Sequence, residues 1–170
     1  YSGHSRPQAV AAWEETMKIR TASSVILRPE LITEIARFFG NQCVVLAVDT
    51  KFVNNEWIVF RSGGTIITDL KATEWAQKGA ELGAGEILLT SMNNDGTKNG
   101  FALDISKAVS EAVTIPVIAS GGAGTMEHFA EVFTQTNVTA ALAASVFHFG
   151  QIPIPDLKQY LKTQNIPIRI

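Results

Sequence analysis

Short, uninterrupted apolar segments recur along this chain and restrict its fold more than any other feature. They lie at residues 44–48, 87–89, 115–119 and 140–144, and β-branched residues dominate the first and third of them. None alternates polar with apolar residues. Strands that are buried on both faces, as in parallel sheets, have this composition. The sequence therefore predicts four parallel strands, together with a further short one at 18–23.

Helical patterns lie between these segments. They cover residues 7–18, 29–39, 69–82, 104–112, 126–135 and 156–164. Asp69 is a candidate N-cap and Gly83 a candidate C-cap of the third helix, and Thr125 precedes the fifth. Residues 52–68, which contain a Ser-Gly-Gly turn, instead predict a small β excursion. Strand and helix in repeated alternation are typical of βα units.

The length of the chain bears on the architecture. A full (β/α)₈ barrel needs about 250 residues and at least roughly 200, whereas this chain has 170. An open flavodoxin-like sheet fits that length better, but the polar loops described below favour a barrel. We therefore predict an α/β fold, a partial (β/α)₈ TIM barrel that holds roughly strands four to eight in a parallel sheet, with residues 1–170 as a single domain.

Composition excludes several classes of protein. The chain is 46% hydrophobic and 18% charged, which is typical of a globular protein. With a net charge of −2 and no basic stripe, nucleic acid is not an expected partner. No apolar run approaches the roughly 18 residues of a membrane span. A single cysteine, Cys43, excludes an intramolecular disulfide and favours a reducing, cytoplasmic location; we expect it to be buried. The missing initiator Met suggests a fragment or a processed chain.

Asp49 directly follows the first apolar segment, and Thr90, Ser91 and Asp95 follow the second. In barrels the functional residues cluster at such strand ends. Burial at the mouth of an apolar strand raises the pKa of a carboxyl group toward values useful for proton transfer. Asp49 is thus a candidate acid–base group, or alternatively a helix cap or a partner of Lys51.

A glycine-rich loop, SGGAG at residues 120–124, follows the third segment and precedes a helix. Glycines in this position let backbone N–H groups approach an anion closely. The alternative is a plain turn whose glycines allow tight packing. Small residues at 143–145, after the next strand, favour phosphate, because paired loops on the last two strands form the usual phosphate site of barrels.

Other polar residues are less informative. The DGTK sequence at residues 95–98 predicts either a local turn or a loop that orients a polyhydroxyl substrate. His4, His128 and His148 lack metal-ligand spacing, so no metal and no cofactor are expected. The tryptophans are interpreted as packing residues, and they are Trp13, Trp57 and Trp75.

Five motifs occur in order along the chain: VVLAVD at 44–49, GAGEILLTS at 83–91, DGTKNG at 95–100, PVIASGGAG at 116–124 and AASVFH at 143–148. Together they resemble the cyclase subunit of imidazole glycerol phosphate synthase from its fifth strand onward. RPELI at 28–32 also resembles the helix after that family's fourth strand. The resemblance implies an enzyme of histidine biosynthesis, which takes ammonia from a glutaminase partner and forms an imidazole ring from a bis-phosphorylated ribulosyl intermediate.

The resemblance also implies roles for individual residues. Asp49 matches the catalytic aspartate of strand five. Thr90, Asp95 and Gly96 match substrate contacts after strand six. Two phosphate sites are implied, one at Gly121, Gly122, Ala144 and Ser145 and the other at Ser23. Lys18 and Glu86 match charged residues of an ammonia gate at the opposite end of the barrel.

Departures from the family pattern leave alternatives open. The family's strand-one aspartate and its companion lysine have no counterpart here, Ala22 stands in place of Asn, and Asn93 in place of an acidic residue. Residues 64–68 also depart from the family, and residues 1–23 fit it poorly. Acid–base chemistry that lacks one of two groups loses several orders of magnitude in rate. We therefore also consider a non-catalytic phosphate-binding half-barrel or degenerate fragment, the sister bis-phosphate isomerase of the same pathway, and self-association through open strand edges.

Overall fold

The computed structural model describes residues 9–10 and 18–169. The strands within these residues are β1 (Ala9–Val10), β2 (Ile19–Thr21), β3 (Val44–Val53), β4 (Glu56–Arg61), β5 (Ile66–Lys71), β6 (Glu86–Ser91), β7 (Val117–Ser120) and β8 (Ala140–Leu142). The helices are α1 (Ser23–Leu27), α2 (Glu30–Phe39), α3 (Ala72–Leu82), α4 (Leu103–Ala112), α5 (Met126–Gln135), α6 (Ser145–His148) and α7 (Ile154–Thr163). The predicted strands and most of the predicted helices are therefore confirmed.

The strands form one sheet in the order β1-β8-β7-β6-β3-β4-β5, with β2 also paired to β3. Every pairing among β2, β3, β6, β7, β8 and β1 is parallel. Within the described residues β1 and β2 do not pair with each other, so the parallel strands form an arc that does not close. This arc, with helices between its strands, confirms the predicted partial (β/α)₈ barrel.

Each side of the arc has its own apolar cluster. On the outer side, Val44, Leu46 and Val48 of β3 are fully buried in the large core beneath the helices. The inner side, here called the lumen, holds a smaller cluster made of Val45, Leu88, Ile118 and Ala140. β3 is thus buried on both faces, which explains why its first five residues are continuously apolar.

The excursion predicted at 52–68 is a hairpin made of β4 and β5, and it changes the strand that precedes it. β2 pairs with the first residues of β3, and β4 pairs antiparallel with the last ones, from Asp49 to Val53. β3 therefore continues five residues past its predicted end at residue 48. Asp49 lies inside this long strand, where its parallel and antiparallel pairings overlap.

Two helix predictions need correction. The helix predicted at 69–82 begins at Ala72, and Asp69 lies in β5 instead of at an N-cap, because β5 continues to Lys71 in order to pair with β4. In the helix predicted at 7–18, residues 9–10 instead form β1, whose pairing with β8 satisfies backbone groups at the edge of the sheet. Residues 7–8 and 11–17 lie outside the described part of the chain.

Single residues follow their predictions to different degrees. Cys43 ends a 3-10 turn (Asn41–Cys43) and is only partly buried, so its predicted burial is incomplete. Trp75 is buried in the core, and Trp57 packs against this core. The indole N–H of Trp57 also donates a hydrogen bond of 2.8 Å to the carboxylate of Asp104. Trp13 lies outside the described residues. Among the helices that the structure describes, none has both the length and the apolarity of a membrane span.

Candidate functional site

Four positions line up at the carboxyl ends of the parallel strands. Asp49 of β3 is in register with Thr90 of β6, Thr90 with Ser120 of β7, and Ser120 with Leu142 of β8. Paired residues of neighbouring parallel strands lie on the same face, and this face is the lumen because it also carries Val45. The sheet thus brings predicted site residues from separate strands to one level.

The carboxyl group of Asp49 is partly buried, and this burial is the main reason why its pKa is raised above the ordinary value of 3.8. The positive charge of Arg20 on β2 opposes the rise, and the negative charge of Asp95 adds to it. Lys51 is not the partner of Asp49. Its ammonium group donates to the carbonyl of Gly64 at 3.3 Å and lies 4.9 Å from the centroid of the Phe60 ring.

We expect the substitution Asp49→Asn to stabilise the protein at neutral pH. Because the folded-state pKa is raised, the folded protein holds its proton more tightly than the unfolded chain does. The contribution of protonated Asp49 to the free energy of unfolding is therefore lost as the pH rises from about 3.8 through the folded-state pKa. Asparagine has no charge to desolvate and avoids this loss.

Urea unfolding of both proteins at several pH values between 3.5 and 7.5 tests this expectation. The gain from Asp49→Asn should grow with pH across the titration of Asp49 and then level off. A variant that is less stable than the parent at pH 7.5, or a difference that does not vary with pH, contradicts it. Asp69→Asn, at an exposed position in the hairpin, is the matched control.

Gly121 and Gly122 directly follow β7, are buried, and have φ angles of +92° and +103°. A Cβ atom on Gly122 would lie 2.0 Å from the carbonyl oxygen of Gly100, and one on Gly121 would lie 2.6 Å from that of Ser91. The Gly100 N–H donates to the Gly122 carbonyl at 2.8 Å. Only glycine both adopts these positive φ angles and leaves room for the neighbouring carbonyl groups. The loop after β7 therefore packs directly on the loop after β6.

The loop after β8 lies beside this glycine loop, because β7 and β8 are paired up to Ser120 and Leu142. Ala144 is exposed, and Ser145 is the first residue of the short helix α6. Small residues therefore follow both of the neighbouring strands at the same edge, as the sequence predicts.

The loop after β6 is held by Asn94 and not by Asp95. The Ser91 hydroxyl donates to the Asn94 side-chain oxygen at 2.9 Å, and the Asn94 amide donates to the Gly100 carbonyl at 2.9 Å. Asp95 and Gly96 are exposed. The local hydrogen bonds that we predicted for residues 95–98 are therefore made mainly by the side chain of the preceding residue, Asn94. The carboxylate of Asp95 is exposed and close enough to Asp49 to influence its pKa.

Ser23 lies on the opposite side of Asp49 from the glycine loop, at the start of α1 and two residues past β2. Its hydroxyl oxygen accepts a hydrogen bond of 2.7 Å from the backbone N–H of Ser62 at the tip of the hairpin. The Phe52 N–H donates to the Asn93 side-chain oxygen at 2.8 Å. The tip of the hairpin is therefore tied to the segment that follows β2, and the last part of β3 to the loop that follows β6.

Lys18 and Glu86 meet at the other end of the lumen. The Lys18 ammonium donates to both carboxylate oxygens of Glu86, and both side chains are about three-quarters buried, with 24% and 21% exposed. The predicted pair of gate charges is thus brought together. Sequence reasoning missed Arg20, although it follows Lys18 by two residues and so falls on the same face of β2.

The histidines are not among the residues in register at this edge. His128 caps α5, since its Nδ1 accepts from the N–H groups of Gly124 and Thr125 at 3.1 and 3.3 Å. His148 is exposed, and His4 lies outside the described residues. Over the described positions, no three His, Cys, Asp or Glu side chains form a group able to hold a metal ion.

Comparison with known proteins places these features in a family. A family model described as "Histidine biosynthesis protein" matches residues 6–153. The matched range includes residues 6–23, in which our sequence motifs are weakest. The chain is also similar to the imidazole glycerol phosphate synthase subunit HisF of Hydrogenobaculum sp. (strain Y04AAS1), with 52% identity over 154 residues. These residues are 90% of this chain and 61% of that relative, so the chain spans about three-fifths of the relative's length.

Proposed function

Because this chain belongs to the histidine biosynthesis protein family, we propose that it carries cyclase machinery of imidazole glycerol phosphate synthase. The proposed reaction uses ammonia and a bis-phosphorylated ribulosyl intermediate, and releases imidazole glycerol phosphate and an aminoimidazole carboxamide ribotide. The observation that supports it most is the row of residues at the carboxyl edge, where Asp49 lies between Ser23 on one side and the glycine loop on the other.

The spacing of the two loops suits a substrate with a phosphate at each end. Ser23 follows β2 and Gly121 follows β7, and three inter-strand spacings separate these strands in the order β2-β3-β6-β7. At about 4.8 Å each, they amount to roughly 14 Å along the arc. We propose that Gly121, Gly122, Ala144 and Ser145 hold one phosphate and that Ser23 contributes to the other.

Between the phosphates, we propose that Asp49 transfers protons and that residues after β6 orient the substrate. Asp49 is partly buried and its pKa is raised, which suits a group that both accepts and donates a proton. Thr90 is its neighbour in register, and Asp95 is the next charged side chain at this edge. We assign Thr90, Asp95 and Gly96 to contacts with the hydroxyl groups of the substrate.

At the opposite end of the lumen, we assign the Lys18–Glu86 pair to an entrance for ammonia. This cation and anion together carry no net charge, which suits an entrance for a neutral molecule such as ammonia. The proposed source of ammonia is a glutaminase subunit that docks at this face, as the resemblance implies. Such a subunit is the proposed protein partner of the chain.

Residues 1–170 include a match for one of the two catalytic aspartates that the resemblance implies, so a protein made of these residues alone is expected to be a weak cyclase. Without turnover, the same loops would still support a non-catalytic role in phosphate binding. The open ends of the arc favour self-association, and Leu27 and Phe38, on the helices after β2, are 69% and 82% exposed. A stable monomer in sedimentation velocity at micromolar concentrations would contradict this part of the proposal.

The proposed activity is tested with the purified chain, ammonia and the ribulosyl intermediate, under conditions in which protein exceeds substrate. Formation of both products supports the cyclase. Binding of the intermediate without product supports the phosphate-binding role. Isomerisation of the sister enzyme's substrate, with neither product formed, would contradict the cyclase assignment in favour of the isomerase.

A further inference from the structure

Arg20 projects into the lumen between the Lys18–Glu86 pair and Asp49. It pairs in register with Val45, which belongs to the lumen cluster, and Lys18 precedes it by two residues on the same face. Ala22, two residues further on, carries only a methyl group. A side chain as long as arginine can therefore extend past it toward the carboxyl edge of the sheet.

Within the described part of the chain, the guanidinium group of Arg20 makes no hydrogen bond and no ion pair, and the residue is exposed. Lys18, in contrast, is taken up by Glu86. Arg20 is thus a free cation on the lumen face. It lies four residues below the level of Asp49, because Val45 and Asp49 are four residues apart on β3.

Among residues 18–169, few charged groups surround Asp49. Arg20 faces it from β2, Asp95 from the loop after β6, and Lys51 follows it by two residues on β3 but is directed to Gly64 and Phe60. Its neighbours in register are Thr90 and Phe60, which carry no charge at neutral pH. Within the part of the chain that the structure describes, Arg20 is therefore the cation whose charge acts on Asp49, and the charge of Asp95 opposes it.

We propose that Arg20 is a positioning residue that acts through Asp49, as the lumen cation that keeps this carboxyl group ionised and directed into the lumen. The proposal deepens the function proposed above and rests on it only in assigning Asp49 to proton transfer. Burial raises the pKa of the Asp49 carboxyl group, and the positive charge of Arg20 lowers it. Arg20 therefore widens the pH range over which Asp49 is ionised and can begin the reaction as a base.

The test follows the carboxyl carbon of Asp49 by NMR during a pH titration of the full chain labelled with carbon-13 aspartate. The signal is assigned by its loss in Asp49→Asn. In Arg20→Gln the titration midpoint is expected to shift upward, and in Arg20→Lys it should stay near that of the parent, because the charge is kept. Arg37→Gln, on the exposed side of α2, is the matched control and should leave the midpoint unchanged.

A midpoint in Arg20→Gln that moves no more than in Arg37→Gln overturns the proposal. A second measurement leaves Arg20 in place, in case its replacement perturbs folding. In Asp95→Asn, which lacks the opposing charge, added salt should raise the midpoint by screening Arg20; no rise with salt overturns the proposal as well. Since neither measurement uses substrate, both outcomes are independent of whether the chain is a cyclase.

Discussion

Asp49→Asn is expected to lower the rate of ammonia-dependent cyclisation by about 10²- to 10⁴-fold, the usual contribution of a general acid–base group. Asparagine fills the same space and cannot exchange a proton, so the loss should fall on the chemical step. Affinity for the bis-phosphorylated intermediate should remain similar, because the proposed phosphate contacts lie in other loops. Single-turnover kinetics with protein in excess separates the two effects.

Asp69→Asn makes the same chemical change at an exposed position of the hairpin and should leave the rate unchanged. If Asp49→Asn turns over as fast as the parent, Asp49 is not the acid–base group. If it binds the intermediate at least tenfold more weakly with its rate intact, Asp49 is a binding residue. Each of these results would contradict the mechanism proposed for this edge of the sheet.

Gly122→Ala is expected to have the second large effect, a loss of at least about 2 kcal/mol in the free energy of unfolding together with loss of phosphate binding. Its φ angle of +103° is unfavourable for alanine. The new Cβ atom would also lie 2.0 Å from the carbonyl oxygen of Gly100, so the two loops must separate. Urea unfolding measures the first effect, and calorimetric titration with inorganic phosphate measures the second.

The control variant Gly63→Ala shows how much stability is lost through backbone strain alone, without a steric clash of the new Cβ atom. Gly63 also has a positive φ, +64°, but a Cβ atom there would meet no atom within 4 Å. We expect this control to cost about 1 kcal/mol and to leave phosphate binding intact. A Gly122→Ala protein as stable as Gly63→Ala, and with unchanged phosphate affinity, would contradict the close packing of the two loops and their assignment to a phosphate.

The parts of the fold that could be predicted from sequence are those with a local signal. The strand at 44–48 is continuously apolar because β3 is buried on both faces, and this pattern is independent of what packs on it. The glycine loop at 120–124 is likewise visible, because two of its glycines adopt backbone angles that other residues avoid. Asp49 is recognisable because it directly follows the apolar segment at 44–48, although it lies inside β3.

The features that sequence reasoning missed depend on pairing between distant segments. Asp69 resembles an N-cap, but β5 continues past it because β4 offers backbone partners as far as Lys71. Local helix signals cannot reveal such a partner. Arg20 had a usable signal in its spacing of two from Lys18, but its relation to Asp49 depends on the register between β2 and β3. That register follows from packing and not from either strand alone.

The most direct test of the central claim, that the carboxyl edge around Asp49 is the substrate site, is amide chemical-shift mapping of the full chain with the bis-phosphorylated ribulosyl intermediate. We predict the largest changes at Gly121, Gly122 and Ser145 on one side of Asp49 and at Ser23 on the other, with inorganic phosphate reproducing only part of the pattern. Changes confined to the opposite end of the lumen, around Lys18 and Glu86, or scattered over the outer helices, would contradict the claim.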